Sequence, residues 1–202
     1  AHYRDAVGRE TPMTEVPQIP TPTSENFASL PWQKGGSMTD WCGINGDPTD
    51  KQVEGRVLHD GHFIYFRFVD QTPPARLRDR GHIWTSDEYE LFFARQPERP
   101  AYQIGIDYTG RRTTLLLTKG KREKVALDVT SEIDLSAGGY WTLYIRIALD
   151  DAAPSGVRPG QTLYGNVVRS FSIHPNVAVA WNPTFGGYCE PRQFAKIVLL
   201  RP

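Results

Sequence analysis

Alternation of hydrophobic and polar residues predicts that this chain is built from β-strands. Across residues 140–149 one side of the segment is strongly apolar, carrying Trp141, Leu143, Ile145, Ile147 and Leu149. A period of two places one side of an extended segment in a core. Similar segments, separated by turns rich in Gly, Pro and Asp, occur at 52–59, 63–69, 88–94, 102–108, 113–118, 125–129, 163–173, 177–181 and 194–200. The pattern therefore predicts roughly ten strands.

The spacing of these segments favours an all-β fold, an antiparallel, jelly-roll-like β-sandwich. Asp60-Gly61 between two strands is a strong signal for a tight hairpin. Helix signals are weak, and the best of them is a single turn at 149–155 that Asp150 and Asp151 could cap. Strands and loops of uneven length favour a sandwich over an up-and-down barrel.

The N-terminal quarter of the chain lacks these patterns. Residues 11–23 contain four prolines, which exclude a helix, and residues 37–50 have the composition of a loop. We therefore predict an irregular, proline-rich arm over residues 1–50 that packs on a β-sandwich domain formed by residues 51–202. Because the sequence begins with Ala1 rather than Met, we expect either a processed secretory protein or a domain of a longer one.

Charge and cysteine content narrow the function classes. The chain of 202 residues has 23 basic and 23 acidic side chains, a balance that argues against nucleic acid or an anionic membrane as partner. Cys42 and Cys189 are too few for a zinc site. They form either one disulfide, which would imply an oxidising compartment, or two separate thiols.

Two segments carry a family resemblance: residues 83–93 (IWTSDEYELFF) and residues 180–199 (AWNPTFGGYCEPRQFAKIVL). Each sets an aromatic residue just ahead of a strand. Further matches lie at 53–70, 140–149 and 163–169, in the same order along the chain. Together these segments resemble the family 9 carbohydrate-binding modules, and the resemblance implies a β-sandwich with a single sugar site.

The resemblance implies which residues form that site. Two aromatic rings, Trp84 and Tyr188, would flank a sugar, because the C–H face of a pyranose packs well on an aromatic face. Glu90 would accept hydrogen bonds from hydroxyl groups at the rim, and Asn166 and Arg169 are the candidate donors. Trp181 is the alternative ring, although we expect it at a strand end in the core. Gly105 stands where the family has a basic residue.

The function implied is non-catalytic binding of an oligosaccharide or polysaccharide, in polysaccharide degradation, by a secreted, periplasmic or cell-surface protein. Alternation in the strand at 88–94 places Glu88 and Glu90 on one face and Tyr89, Leu91 and Phe93 on the other. Glu90 could therefore face solvent instead of a sugar. Asn166 could equally tie strands together. The oligomeric state is not indicated by any pattern.

Two other functions remain open at this point. Related sandwiches bind haem for electron transfer, and here the ligands would be Met38 and His174. A glycoside hydrolase or lyase would use carboxylates such as Asp87, Glu90 and Asp107, but the chain has no nucleophile elbow, phosphate loop or His-Glu-x-x-His motif. The resemblance also allows a structural calcium ion, for which Asn45, Asp47 and Asp50 could supply some of the oxygen ligands, and no other cofactor is expected.

Overall fold

The computed structural model describes residues 10–24, 26–51, 53–172 and 177–202. Within these ranges the chain forms 14 strands in two sheets, which confirms the all-β sandwich. The described residues contain no α-helix, only five short 3-10 turns, and none of their helices is long and apolar enough to cross a membrane. Residues 149–155 form turns, so the helical turn expected there is wrong.

Nine strands form the larger sheet. In spatial order, seven of them are β1 (Met13–Val16), β14 (Ala195–Leu199), β12 (Thr162–Phe171), β6 (Glu88–Ala94), β7 (Ala101–Asp107), β8 (Arg112–Thr118) and β9 (Lys121–Lys124). The other two extend the sheet beside β12: β13 (Val177–Ala180) pairs with β12, and β3 (Cys42–Gly43) pairs with β13. All neighbours are antiparallel except β1 and β14, which are parallel.

Five antiparallel strands form the smaller sheet, in the order β10 (Val129–Asp134), β11 (Trp141–Ala148), β5 (Phe63–Asp70), β4 (Val53–His59) and β2 (Gly36–Met38). The hairpin between β4 and β5 turns at Asp60-Gly61, as the sequence predicts. Gly61 has a φ of +92°, a conformation that L side chains rarely adopt.

The hydrophobic core lies between the two sheets. The alternating residues of β11 and the odd-numbered residues of β6 all face it, and it is filled by stacked rings such as Phe66 on Phe93 and Phe68 on Tyr89. Trp181 is also part of this core, with 1% of its surface exposed, so its interpretation as a core residue is confirmed. A second apolar cluster, around Phe92, Val168 and Phe194, lies on the other face of the larger sheet.

Two sequence-based assignments differ from the structure. The strand predicted at 125–129 is wrong, because these residues mostly connect β9 to β10. The strand before them, β9, consists of Lys, Arg, Glu and Lys, and it is held by pairing with β8. Residues 37–50, interpreted as a loop, include strand residues of β2 and β3. The division of the chain at residue 50 stays a prediction, although the described part of the arm supplies strands to both sheets.

Candidate functional site

Trp84 lies on a loop that crosses the outer face of the larger sheet. A 3-10 turn, Ile83–Thr85, begins the approach to β6, and buried Ile83 anchors it. The Trp84 backbone N–H donates to the His82 ring at 3.3 Å. The indole lies against Gly105 of β7, where an added Cβ would be only 2.5 Å from Cζ3 of Trp84. The half-buried ring therefore rests on the one residue type that leaves room for it.

Tyr188 lies on the loop between β13 and β14 and is half-buried. Two exposed glycines, Gly186 and Gly187, precede it in that loop. Its hydroxyl group accepts a hydrogen bond from Ser170 of β12 at 3.5 Å. Burial raises the pKa of Tyr188, so the phenol stays neutral and keeps a proton that it can donate.

The two rings line the same cleft, and Glu90 lines it with them. One cavity of the cleft has a volume of about 440 Å³, and its lining includes Trp84, Glu88, Glu90, Ser170, Phe171 and Tyr188. A second cavity of about 190 Å³ shares Trp84, Glu90 and Tyr188 and adds Gln103, Arg122 and Cys189. These three shared residues thus stand at the junction of both cavities. The structure brings together three of the five residues predicted to bind sugar.

Glu88 and Glu90 form an acidic floor. Both side chains point out of the core on β6, as alternation predicts, and they are 1% and 6% exposed. Gln103 Nε2 donates a short hydrogen bond to Glu90 Oε2. Burial, with the adjacent Glu90 carboxyl, raises the pKa of Glu88 to about 10, and burial also raises the pKa of Glu90. Glu88 is therefore protonated at neutral pH, and its carboxyl group forms a hydrogen bond with that of Glu90.

Sequence reasoning did not assign Glu88 or Gln103 to the site. The signal for Glu88 was present, because residues two apart on a strand share a face. Gln103 lies on a different strand, and its place beside Glu90 depends on the register that pairs Glu90 with Gly105 and Phe92 with Gln103. Nothing in a single strand's pattern predicts that register.

Arg169 is not a donor at the cleft, and this prediction is corrected. Its side chain is 0% exposed and forms ion pairs with Asp70 of β5 and Asp87, at 2.9 Å for the Asp87 pair. The guanidinium also lies 4.2 Å from the centre of the Phe171 ring. Every charged bond of Arg169 is thus made inside the protein, where it joins the two sheets.

The prediction that Asn166 donates to a sugar is also corrected, because the residue has the structural role that was the alternative. The side chain is 1% exposed. Its Nδ2 donates to the Asn182 carbonyl at 2.8 Å, and its Oδ1 accepts from the Asn182 N–H at 3.0 Å. Asn166 therefore fastens the start of the late loop to β12, and its side chain is buried away from the cleft surface.

Two charged side chains fix the loop that carries Trp84. Asp87 accepts hydrogen bonds from the Arg78 N–H at 2.8 Å and from Ser172 Oγ at 2.6 Å. Arg111 binds Asp79 and Asp107 and donates to Ser86 at 3.1 Å. Asp87 and Asp107, named as catalytic alternatives, each have partners of their own and do not line the cleft with Glu90.

The other candidate sites gain no support. Met38 is fully buried in the core, and His174 lies outside the described residues. Among the described residues, no group of three or more His, Cys, Asp or Glu side chains is placed to hold a metal ion, so calcium at Asn45, Asp47 and Asp50 stays a prediction. Cys42 and Cys189 are both thiols in the structure, with Cys42 Sγ 3.8 Å from the Ala180 carbonyl, and a disulfide between them likewise stays a prediction.

The fold and the cleft define a β-sandwich with an aromatic, acidic cleft on one outer face. Solved structures with this fold include a family 9 carbohydrate-binding module from Caldicellulosiruptor kristjanssonii in complex with cellotriose, at 14% identity, a TM-score of 0.72 and coverage of 95% of each chain. A family 9 module from that organism in complex with glucose also has this fold, at 14% identity and a TM-score of 0.66, with coverage of 93% of this chain and 97% of that chain.

A putative carbohydrate-binding protein from Bacteroides uniformis is similar at 15% identity, with a TM-score of 0.70 and coverage of 92% of this chain and 97% of that one. No protein-family model matches the sequence, and no curated protein matches it. At these identities the likeness establishes the fold: the chain has the architecture of the family 9 modules over nearly its whole length.

Proposed function

We propose that this protein is a non-catalytic carbohydrate-binding module that holds one sugar ring between Trp84 and Tyr188. The observation that carries the proposal is the cleft itself, which both rings line together with the Glu90 carboxylate. The C–H face of a sugar packs on an aromatic ring, while its hydroxyl groups need polar partners at the edge. Glu90, Ser170 and the Tyr188 hydroxyl supply them.

The fold supports the same proposal, since similar structures were solved with cellotriose and with glucose bound. We propose an oligosaccharide or polysaccharide as the partner, with a role in polysaccharide degradation beside a glycosidase and a location outside the cytoplasm. The even charge balance argues against nucleic acid or an anionic membrane as an additional partner. The expected affinity is weak, roughly micromolar to millimolar, because few contacts offset the cost of association.

A glycan array read by direct binding tests this function, and Trp84→Ala tests the site. Because Trp84 is only half-buried, its truncation should abolish most binding with little change in the urea midpoint. A core tryptophan would instead cost roughly 3–5 kcal/mol of stability. Tyr140→Ala is the matched control, since Tyr140 is 42% exposed and outside the cleft. Absence of any bound glycan would refute the function, and a destabilised variant that still binds would refute the choice of ring.

A further inference from the structure

Two buried acceptor atoms beneath the cleft have no hydrogen-bond donor among the described residues. Glu88 Oε2 and Gln103 Oε1 are both buried, and neither receives a hydrogen bond from a protein N–H or O–H group in the described residues. Glu88 lines the larger cavity and Gln103 the smaller one. A buried polar atom without a partner is unfavourable, so both atoms indicate a ligand that donates hydrogen bonds.

Neither carboxyl group of the floor forms an ion pair with a basic side chain in the described part of the chain. Glu88 and Glu90 are both at least nine-tenths buried and interact with each other. Two adjacent buried carboxylates cannot both be ionised without a counter-charge. The pair therefore holds a proton, which agrees with the raised pKa of Glu88. A ligand with a positive group could replace that proton.

The walls of the cleft suit the same positive group. An ammonium group is attracted to the face of an aromatic ring, most strongly to tryptophan. Trp84 and Tyr188 both line the cleft above the carboxyl pair. A sugar that carries an ammonium group would pack its C–H face on the rings and donate N–H hydrogen bonds to the carboxyl groups.

We propose that the cleft selects glycans that carry a free amino group, with the ammonium bound between Glu88 and Glu90 in place of the proton that they share. This inference rests on the proposed carbohydrate-binding function and names the class of sugar. An N-acetylated sugar lacks the charge, and a neutral glucan lacks both the charge and the nitrogen. Both should bind less tightly than the amino sugar.

The other charged or titratable groups near the pair come from every neighbouring element: Arg80 of the preceding loop, Arg169 of β12, Asp107 of β7, Arg122 of β9, and Tyr188 and Cys189 of the late loop. Arg169 and Asp107 are held in ion pairs of their own, and Arg169 offsets part of the rise in the pKa of Glu88. Arg80 donates to the Ser172 carbonyl at 3.1 Å, and Arg122 lies in the edge strand. Both arginines are exposed, so solvent and salt screen their repulsion of a ligand cation.

The test compares three matched oligosaccharides of β-linked glucose, glucosamine and N-acetylglucosamine by titration calorimetry at about pH 6.5. We expect the glucosamine oligomer to bind at least about tenfold more tightly than the other two. Its binding should release a proton, measured from the dependence of the heat on the buffer, and its affinity should rise with pH while the amine stays protonated. Equal or weaker binding of the glucosamine oligomer would overturn the inference.

Glu88→Gln assigns the effect to the carboxyl pair. The variant keeps the shape of the side chain but cannot ionise when an ammonium group binds, so the preference for the amino sugar should fall about tenfold and proton release should disappear. Glu132→Gln, on an exposed residue of β10 in the smaller sheet, is the matched control and should keep both. A preference that survives in Glu88→Gln would contradict the proposal.

The results also separate this inference from the function on which it rests. If the neutral glucan binds as tightly as the amino oligomer, the protein is a carbohydrate-binding module and only the inferred selectivity fails. If no saccharide binds on the array or in the titrations, the proposed function fails as well.

Discussion

Gly105 leaves the space on β7 that the Trp84 indole occupies. An ideal Cβ on Gly105 would lie 2.5 Å from Cζ3 and 2.6 Å from Cη2 of Trp84. Real Cβ atoms do not approach other heavy atoms so closely, so any side chain at position 105 displaces the indole. Because Trp84 occupies this space, position 105 of β7 has no room for a basic side chain.

Gly105→Ala should therefore weaken saccharide binding without removing any binding group. The added methyl lifts Trp84 from the sheet and misaligns it with Tyr188, and we expect a loss of roughly tenfold in affinity, the scale of one aromatic contact. The half-buried loop can move, so the loss of stability should be at most about 1 kcal/mol. Titration with a saccharide and urea unfolding measure the two effects.

The matched control is Gly138→Ala, in the loop between β10 and β11. A Cβ on Gly138 meets no atom within 4 Å. This variant should bind and unfold like the parent protein. If Gly105→Ala also binds like the parent, the contact with Gly105 does not set the position of the Trp84 ring in the binding site.

Arg169→Met should destabilise the fold strongly. Removal of the guanidinium leaves Asp70 and Asp87 as buried carboxylates without a cation, a change that typically costs about 3–5 kcal/mol. The urea midpoint should fall accordingly, whereas Arg122→Met, at an exposed residue of β9, should leave it nearly unchanged. Equal midpoints for Arg169→Met and the parent would show that the buried ion pairs do not hold the two sheets together.

The strands were predictable because their signals are local, whereas the choice of Trp84 and Tyr188 rested on the family resemblance of the segments that contain them. Alternation in β6 correctly assigned Tyr89, Leu91 and Phe93 to the core and the glutamates to the other face. The same reasoning failed for Arg169, since its partners Asp70 and Asp87 lie 99 and 82 residues away along the chain. A charged residue in a strand looks exposed until the sheet packing places an opposite charge beside it.

The short strands of the arm were not predictable for a related reason. β1 contains only four residues and β3 only two, and neither shows useful periodicity. Their hydrogen bonds come from β14 and β13, at the far end of the sequence. Position in the chain gave no sign of that pairing, whereas the hairpin at Asp60-Gly61 joins neighbours and its turn residues reveal it.

The carboxyl pair of Glu88 and Glu90 should make the free energy of unfolding depend on pH. Unfolding restores the ordinary pKa of Glu88, 4.5, from its folded value of about 10. Between these values the folded state binds more protons than the unfolded state, so stability falls as the pH rises. Glu88→Gln removes this penalty, and the variant should gain about 1 kcal/mol or more over the parent at about pH 8.

The gain from Glu88→Gln should shrink towards about pH 4, where both states of the parent are protonated. Urea unfolding of both proteins across this range measures it, and Glu132→Gln should show no such trend. A gain that is constant with pH would show that Glu88 is not held protonated by its surroundings.

Cys189 should report occupancy of the cleft. It is half-buried in the smaller cavity beside Trp84, Glu90 and Tyr188, whereas Cys42 is 3% exposed. In the reduced protein, iodoacetamide should therefore modify Cys189 first. Burial raises the pKa of the Cys189 thiol, so the reaction should be slow at neutral pH and accelerate as the pH rises. A bound saccharide should slow it further, and the adduct should weaken saccharide binding.

Mass spectrometry of the alkylated peptides measures this reactivity, with Cys189→Ser as the control that should resist modification. The same reagent, applied to unfolded protein that has never been reduced, tests the disulfide: two reactive thiols would exclude a bond between Cys42 and Cys189 in the purified protein. If a saccharide that binds the protein leaves the rate of Cys189 alkylation unchanged, the sugar does not occupy the cleft between Trp84 and Tyr188. The binding site would then have to be sought on another face of the sandwich.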